Sequence, residues 1–143
     1  MNLHLNHLKM LLEYGNQNKI MSNLVTVALG GALGSLTRYY LSNSTLKHII
    51  FYDIPIAIIF MNILGSFLFG MFMGLIENSI IMTSTVKAFV LTGFLASFTT
   101  FSTFAWESVI FIQNEMYLKL LIYCLSSLLL SILFCLAGYY IGK

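Results

Sequence analysis

Residues Gly93–Glu107, GFLASFTTFSTFAWE, place five hydroxyl side chains (Ser97, Thr99, Thr100, Ser102 and Thr103) inside an otherwise apolar segment. A helix face turned to lipid gains nothing from such a cluster. Hydroxyls at bilayer depth need partners, whether backbone carbonyls, a neighbouring helix, water or an ion. The apolar run around them, about Val86–Ile112, would extend ~40 Å as a straight helix, against a hydrocarbon core of ~30 Å. The segment must either tilt strongly or be interrupted, and Thr99–Thr100 is the natural place for a break. Carbonyls unwound at that depth persist only where protein, water or a cation satisfies them.

Outward from this stretch the chain stays apolar. Of 143 residues, 59% are hydrophobic and 8% charged, and the mean hydropathy is +0.89. A soluble domain of this size could not bury that much apolar surface. Four apolar stretches, about Leu24–Leu41, Ile54–Ile76, Val86–Ile112 and Tyr117–Ile141, have the length of membrane spans. The fold expected is an all-α integral membrane protein with four transmembrane helices, the third broken. Residues 1–22 read as a polar N-terminal tail and 23–143 as the membrane domain. The tail lacks a small-residue cleavage site and is not a signal peptide; Met21, just before the first span, is an alternative start. His4 and His7 fall in this tail and are given no metal role. Cys124 and Cys135 lie ~16 Å apart along one predicted helix, too far to bridge, and read as buried thiols.

Positive residues normally fix orientation by crowding cytoplasmic loops. From Met21 onward, Lys87 and Lys143 fall on one side. Lys47 and Lys119 fall on the other, with Arg38 near the end of the first span. The bias is close to nil, so the chain can insert both ways up, and an antiparallel dimer is one use of that ambiguity; Lys9 and Lys19 tip the balance toward an inside N-terminus only if the tail is made. One bundle of four helices is too slender to enclose a pathway. Small residues recur at Gly30, Gly31 and Gly34, and at Gly65, Ser66, Gly70 and Gly74. Gly70 and Gly74 form a GxxxG pair that lets backbones approach. Packing within one subunit and packing between subunits are equally open for these glycines.

Several polar or aromatic residues sit where lipid would reject a purely structural reading. Arg38 is either a functional intramembrane cation or a side chain snorkelling to the headgroups. The Asn62 amide either ties helices together or faces an anion or water pathway. Tyr123, Ser127 and Ser131, at i, i+4 and i+8, line one helical face and suggest a polar track. Phe101 and Phe104 share a face near Ser102 and Thr103. A phenylalanine ring edge carries positive potential and can meet a small anion without trapping it. Glu107, toward the far end of the span, either caps the region or pairs with a cation.

Together these residues resemble the Fluc/CrcB family of fluoride-specific ion channels. The resemblance covers about Asn23 to Gly142. It rests on GGALGSLTRYY in the first helix, NILGSFLFG in the second, GFLASFTTFSTFAWE in the third, and Tyr123/Ser127/Ser131 in the fourth. It implies a dual-topology, antiparallel homodimer with two fluoride pathways. It also implies a structural sodium ion at the dimer centre, held by the backbone carbonyls of Ala96 and Thr99 at the break. Phe101 and Phe104 would be the pore phenylalanines, with Asn62 nearby. Ser102, Thr103, Tyr123, Ser127 and Ser131 would form the polar track, Arg38 would lie at the vestibule, and Glu107 near the other helix end. The family typically reads GFxGGxTTFST; here Ala96-Ser97 replace the glycine pair, which bears on the break because glycine readily adopts positive φ. Pairing with a paralogue as a heterodimer is the alternative assembly.

The function expected from this reading is passive electrodiffusive efflux of cytoplasmic fluoride across the plasma membrane, with no enzymatic step. A small dual-topology multidrug exporter is the main rival. Its chemistry needs a membrane-embedded carboxylate, and Glu107, close to a span's end, is the one acid within the four spans that this reading could offer.

Overall fold

The computed structural model describes residues 2–46, 49–78 and 82–143. Among the described residues, four helical stretches are long and apolar enough to cross a membrane: Gly15–Asn43, Ile56–Glu77, Ser84–Gln113 and Tyr117–Gly142. Helix α1 (Asn2–Tyr40) ends in a π-helical turn, Leu41–Thr45. Residues 2–22, read from the sequence as a polar tail, continue the first span as helix. They hold no proline and a single glycine, Gly15, so nothing local interrupts the winding. Lys47 and the side chains of His4 and His7 lie outside the described residues.

A short antiparallel hairpin, β1 (Ile50–Phe51) and β2 (Ile54–Pro55), leads into α2 (Ile56–Glu77). The third span comes in two pieces. Its first half, α3 (residues 84–98), contains a helical turn at Ser84–Lys87, a π-helical stretch at Ala88–Leu95 and a last turn at Ala96–Phe98. The Thr83 hydroxyl caps its start by accepting from Val86 N at 3.3 Å. Thr99 and Thr100 are extended (φ −76°, ψ 157° and φ −150°, ψ 126°), and α4 (Phe101–Gln113) resumes beyond them. The interruption falls where length and hydroxyl content predict it. Helix α5 (Tyr117–Gly142) completes the bundle.

Backbone contact at glycines sets the packing. Helix α1 lies on α3, with Gly30 against the Phe89 carbonyl and Gly34 against the Phe94 carbonyl. Helix α2 lies on α5 through two interlocked GxxxG pairs. Gly70 and Gly74 meet the carbonyls of Cys135 and Tyr139, while Gly138 and Gly142 meet those of Phe67 and Met71. A methyl group at any of these four would collide with main chain rather than with a movable side chain. Gly70 and Gly74 therefore serve the inside of one subunit, which settles the question their spacing left open.

Polar pairs mark the two ends of the bundle. Lys119 Nζ meets Asp53 Oδ2 at 2.7 Å at one end. Lys143 meets Glu77 Oε1 at 3.4 Å at the other, where Thr85 also donates to Asn23 Oδ1 at 3.5 Å. The spans thus alternate in direction. Buried side chains form two small clusters on either side of α2, one of Ile54, Ile59, Phe111 and Tyr123, the other of Ala57, Ile58, Met61 and Phe98. Large apolar side chains such as Leu29, Leu33, Leu129 and Ile132 remain exposed on α1 and α5 of the single chain.

Candidate ion pathway

An α-helix broken at Thr99–Thr100 must find new partners for the groups the break releases. In an unbroken helix Thr100 N would bond the Ala96 carbonyl and Thr103 N the Thr99 carbonyl. Both donors are diverted. Thr100 N donates to Asn62 Oδ1 at 2.9 Å, and Thr103 N donates to Thr100 Oγ1 at 3.3 Å, which caps α4. The Ala96 and Thr99 carbonyls lose their helical donors as a result. The Ser97 carbonyl accepts from Arg38 Nε at 3.1 Å, and Thr99 Oγ1 donates to the Leu95 carbonyl at 3.2 Å.

Asn62 engages Thr100 twice, because its Nδ2 also donates to the Thr100 carbonyl at 3.1 Å. One amide side chain thus imitates a neighbouring β-strand and holds Thr100 extended. Of the two readings its position allowed, this contact belongs to the tie between helices. Arg38 likewise reaches inward to the break, not outward to the headgroups alone. The Ala96-Ser97 replacement leaves the local geometry helical. Ala96 has φ −65° and ψ −30°, and neither residue has positive φ. Ser97 Oγ lies over Gly31 of α1, at 3.2 Å from where a methyl group there would sit, so Gly31 makes room for the larger residue.

Two of the cavities beside α4 gather polar residues. The first, of ≈ 260 Å³, is lined by Asn62 and Ser66 of α2, by Thr99, Thr100, Phe101 and Phe104 around the break, and by Ser127, Leu128 and Ser131 of α5. Ser127 is only 5% exposed. Ser131 Oγ is shielded from solvent and has no hydrogen-bond partner among the described residues. The rings of Phe101 and Phe104 stand 5.5 Å apart, tilted by 42°. The second cavity, of ≈ 430 Å³, lies toward the Asp53–Lys119 end and is lined by Arg38, Ser42, Asn43, Thr103 and Glu107 among others. A third, of ≈ 320 Å³, presents Ala96 and Thr99 beside Gly65, Ser66 and Cys135.

The residues singled out in the sequence therefore divide. Asn62, Phe101, Phe104, Ser127 and Ser131 meet around one cavity; Arg38, Thr103 and Glu107 meet around another. Tyr123 lines neither. It is fully buried (0% exposed), stacks on Phe104 at 5.1 Å, and donates its hydroxyl to Glu107 Oε2 at 2.5 Å. Through that bond Glu107 has a partner in a neutral hydroxyl of the same subunit. Ser102 is exposed, with its hydroxyl 3.3 Å from Thr100 Oγ1. Of the polar residues lining the first cavity, Ser66 and Thr100 have no site role in the sequence reading. The spacing of Ser66, four beyond Asn62 and hence on the same face of α2, was the available signal.

Residues 25–139 match the family model described as CrcB-like protein, Camphor Resistance (CrcB). Three similar proteins carry the name fluoride-specific ion channel FluC. The one from Nitratidesulfovibrio vulgaris is 36% identical over 123 residues, 86% of this chain and 98% of the relative. That from Nautilia profundicola is 37% identical over 119 residues, 81% and 90% of the two chains. That from Campylobacter fetus is 37% identical over 117 residues, 82% and 91%.

Proposed function

The chain belongs to the CrcB-like family, and on that premise we propose that it is a fluoride-selective channel that lets cytoplasmic fluoride leave through the plasma membrane. The observation that carries the reading is the cavity where Asn62, Ser127 and Ser131 face the rings of Phe101 and Phe104. A small, strongly hydrated anion needs its shell replaced by donors, and the hydroxyls and ring edges here are neutral. They bind without trapping, as conduction requires. Arg38 lines the wider cavity beside the Glu107 carboxylate and offers a passing anion a cationic contact there. Fluoride enters as the neutral weak acid and ionises inside. A negative-inside potential then drives the anion out at ~2.3 kcal/mol per 100 mV, with no catalytic step.

The channel is an antiparallel homodimer. Phe101, a pathway residue, is 78% exposed in the single chain, and a second copy is the partner that would enclose it. The chain's near-zero charge bias permits insertion in both orientations. A structural sodium ion fits the break: Ala96 and Thr99 offer neutral carbonyl oxygens whose helical donors Asn62 and Thr100 have taken away. Hard alkali cations favour such oxygens. When bound, the ion would compensate these carbonyls and steady the junction between subunits. The Tyr123–Glu107 hydrogen bond supports a channel over a proton-coupled exporter, whose carboxylate must be free to exchange protons for cationic drugs.

Purified protein in liposomes loaded with potassium fluoride should release fluoride rapidly once an ionophore lets potassium leave, with little chloride flux under the same conditions. A folded preparation that releases neither anion would overturn the homomeric channel; recovery of flux on adding a paralogue would identify the heterodimer. Replacing all sodium by a bulky organic cation should lower the dimer's thermal stability. Equal stability in both buffers would remove the sodium site.

A further inference from the structure

The hairpin between the first two spans differs from an ordinary polar connection. Its outward side chains, Ile49, Ile50, Phe51 and Tyr52, are all exposed, and Tyr52 is 78% exposed. Phe51 and Tyr52 pack edge to face at 4.7 Å, forming a double ring at the tip. The turn residues Tyr52 and Asp53 both have positive φ (52° and 64°). Two-residue hairpin turns of this kind usually use Asn-Gly, and a bulky residue there is disfavoured. The chain thus holds an aromatic residue outward at a position that conformation alone would give to glycine or asparagine.

The inner side of the hairpin is fixed. Ile54, 5% exposed, is buried with Ile59, Phe111 and Tyr123, and Ile56 N bonds the Ile49 carbonyl at 3.3 Å. The spans place this hairpin at one membrane boundary, level with the end of α1 and the start of α5. There Tyr39, Tyr40 and Tyr117 are also exposed. The exposed apolar stripe of α1, through Leu29, Leu33 and Leu36, leads toward this group. Rings with an apolar body and a polar tip concentrate at the headgroup boundary. Among the described residues, Lys119 beside the hairpin is paired with Asp53 at 2.7 Å.

We propose that the Ile50–Pro55 hairpin is an interfacial anchor. Its Phe51 and Tyr52 rings are embedded in the headgroup–acyl boundary of the leaflet beside the Arg38–Glu107 cavity. The occupant of this apolar face is lipid, recognised by amphipathic aromatic burial. Because Ile54 shares a buried cluster with Tyr123, the anchor fixes the depth of the wall behind the pathway as well as that of the loop.

The test uses the full chain in phosphatidylcholine vesicles, with Trp106→Phe removing the native indole and either Phe51→Trp or Tyr52→Trp supplying a single reporter. Lipid brominated in the upper acyl chain should quench either indole about twofold more than lipid brominated near the bilayer centre, with little quenching by aqueous acrylamide. Exchanging part of the lipid for phosphatidylglycerol should leave these ratios unchanged. Acrylamide quenching like that of free indole would overturn the proposal, placing the tip in water. Protection from both quenchers would also overturn it, because a second copy would then cover the face. Should the variants misfold, the unmodified chain can be irradiated with a phosphatidylcholine bearing a photoreactive group beside its headgroup. Adducts are expected on Ile49–Tyr52; labelling confined to the spans would overturn the anchor. None of these readouts depends on fluoride flux.

Discussion

The seam between α2 and α5 and the break between α3 and α4 solve the same problem by opposite means. At the seam, two backbones come into contact because side chains are missing: Gly70, Gly74, Gly138 and Gly142 each sit against a carbonyl of the other helix. At the break, backbones part, and side chains supply what the helix no longer can. Asn62 holds both polar groups of Thr100, Arg38 takes the Ser97 carbonyl, and the Thr100 hydroxyl caps α4. The seam gives rigidity without chemistry. The break collects polar atoms at mid-membrane depth, and the cavity with Ser127 and Ser131 lies beside it. A pathway through an oily bundle thus needs both: one joint that cannot move and one that cannot close.

The contrast can be broken most severely at the seam. Gly138→Leu forces a side chain into the Phe67 carbonyl, and overpacking against immovable main chain should cost about 3 kcal/mol. The expected outcome is loss of monodisperse protein on size-exclusion chromatography; normal yield would show that the helices can separate there. Next, Asn62→Ala leaves the Thr100 N–H and carbonyl without partners, at about 2 kcal/mol for the pair of groups and an order-of-magnitude fall in fluoride flux. Unchanged melting and flux would mean the clamp is dispensable. Arg38→Lys keeps the charge but loses the Nε contact to Ser97, and should lower stability by about 1.5 kcal/mol in a thermal melt. Thr100→Val removes the cap at constant volume, for about 1 kcal/mol. Lys119→Ala, at an exposed ion pair, should change the melt by at most about 0.5 kcal/mol. A larger effect there would show that the hairpin bears load.

Much of this was legible in advance, unevenly. The excess length of the third span and its hydroxyl surplus located the interruption at Thr99–Thr100, because bilayer thickness and helical rise are fixed quantities. The i, i+4 spacing brought Ser127 and Ser131 to one wall, and the same rule placed Ser66 beside Asn62. Tyr123 shares that face but sits deeper, where the rings of Phe104 and Phe111 cover it. Spacing gives direction, not depth. Nor could spacing tell what Asn62 holds, since both of its amide contacts reach across 38 positions of sequence. Gly138 and Gly142 form a second GxxxG pair that can be read from the chain, but their partner surface depends on α2 lying alongside.

By itself, then, the sequence determined the four spans, their near-neutral charge balance, the place of the break and the family motifs. Each depends on local composition measured against a membrane of known thickness. The tertiary structure alone decided which glycines face which helix, that Asn62 and Arg38 support the break, and that Glu107 is tied to Tyr123. Those outcomes depend on which unsatisfied polar group meets which side chain after packing, and in a medium without water every such group must find its partner within the protein.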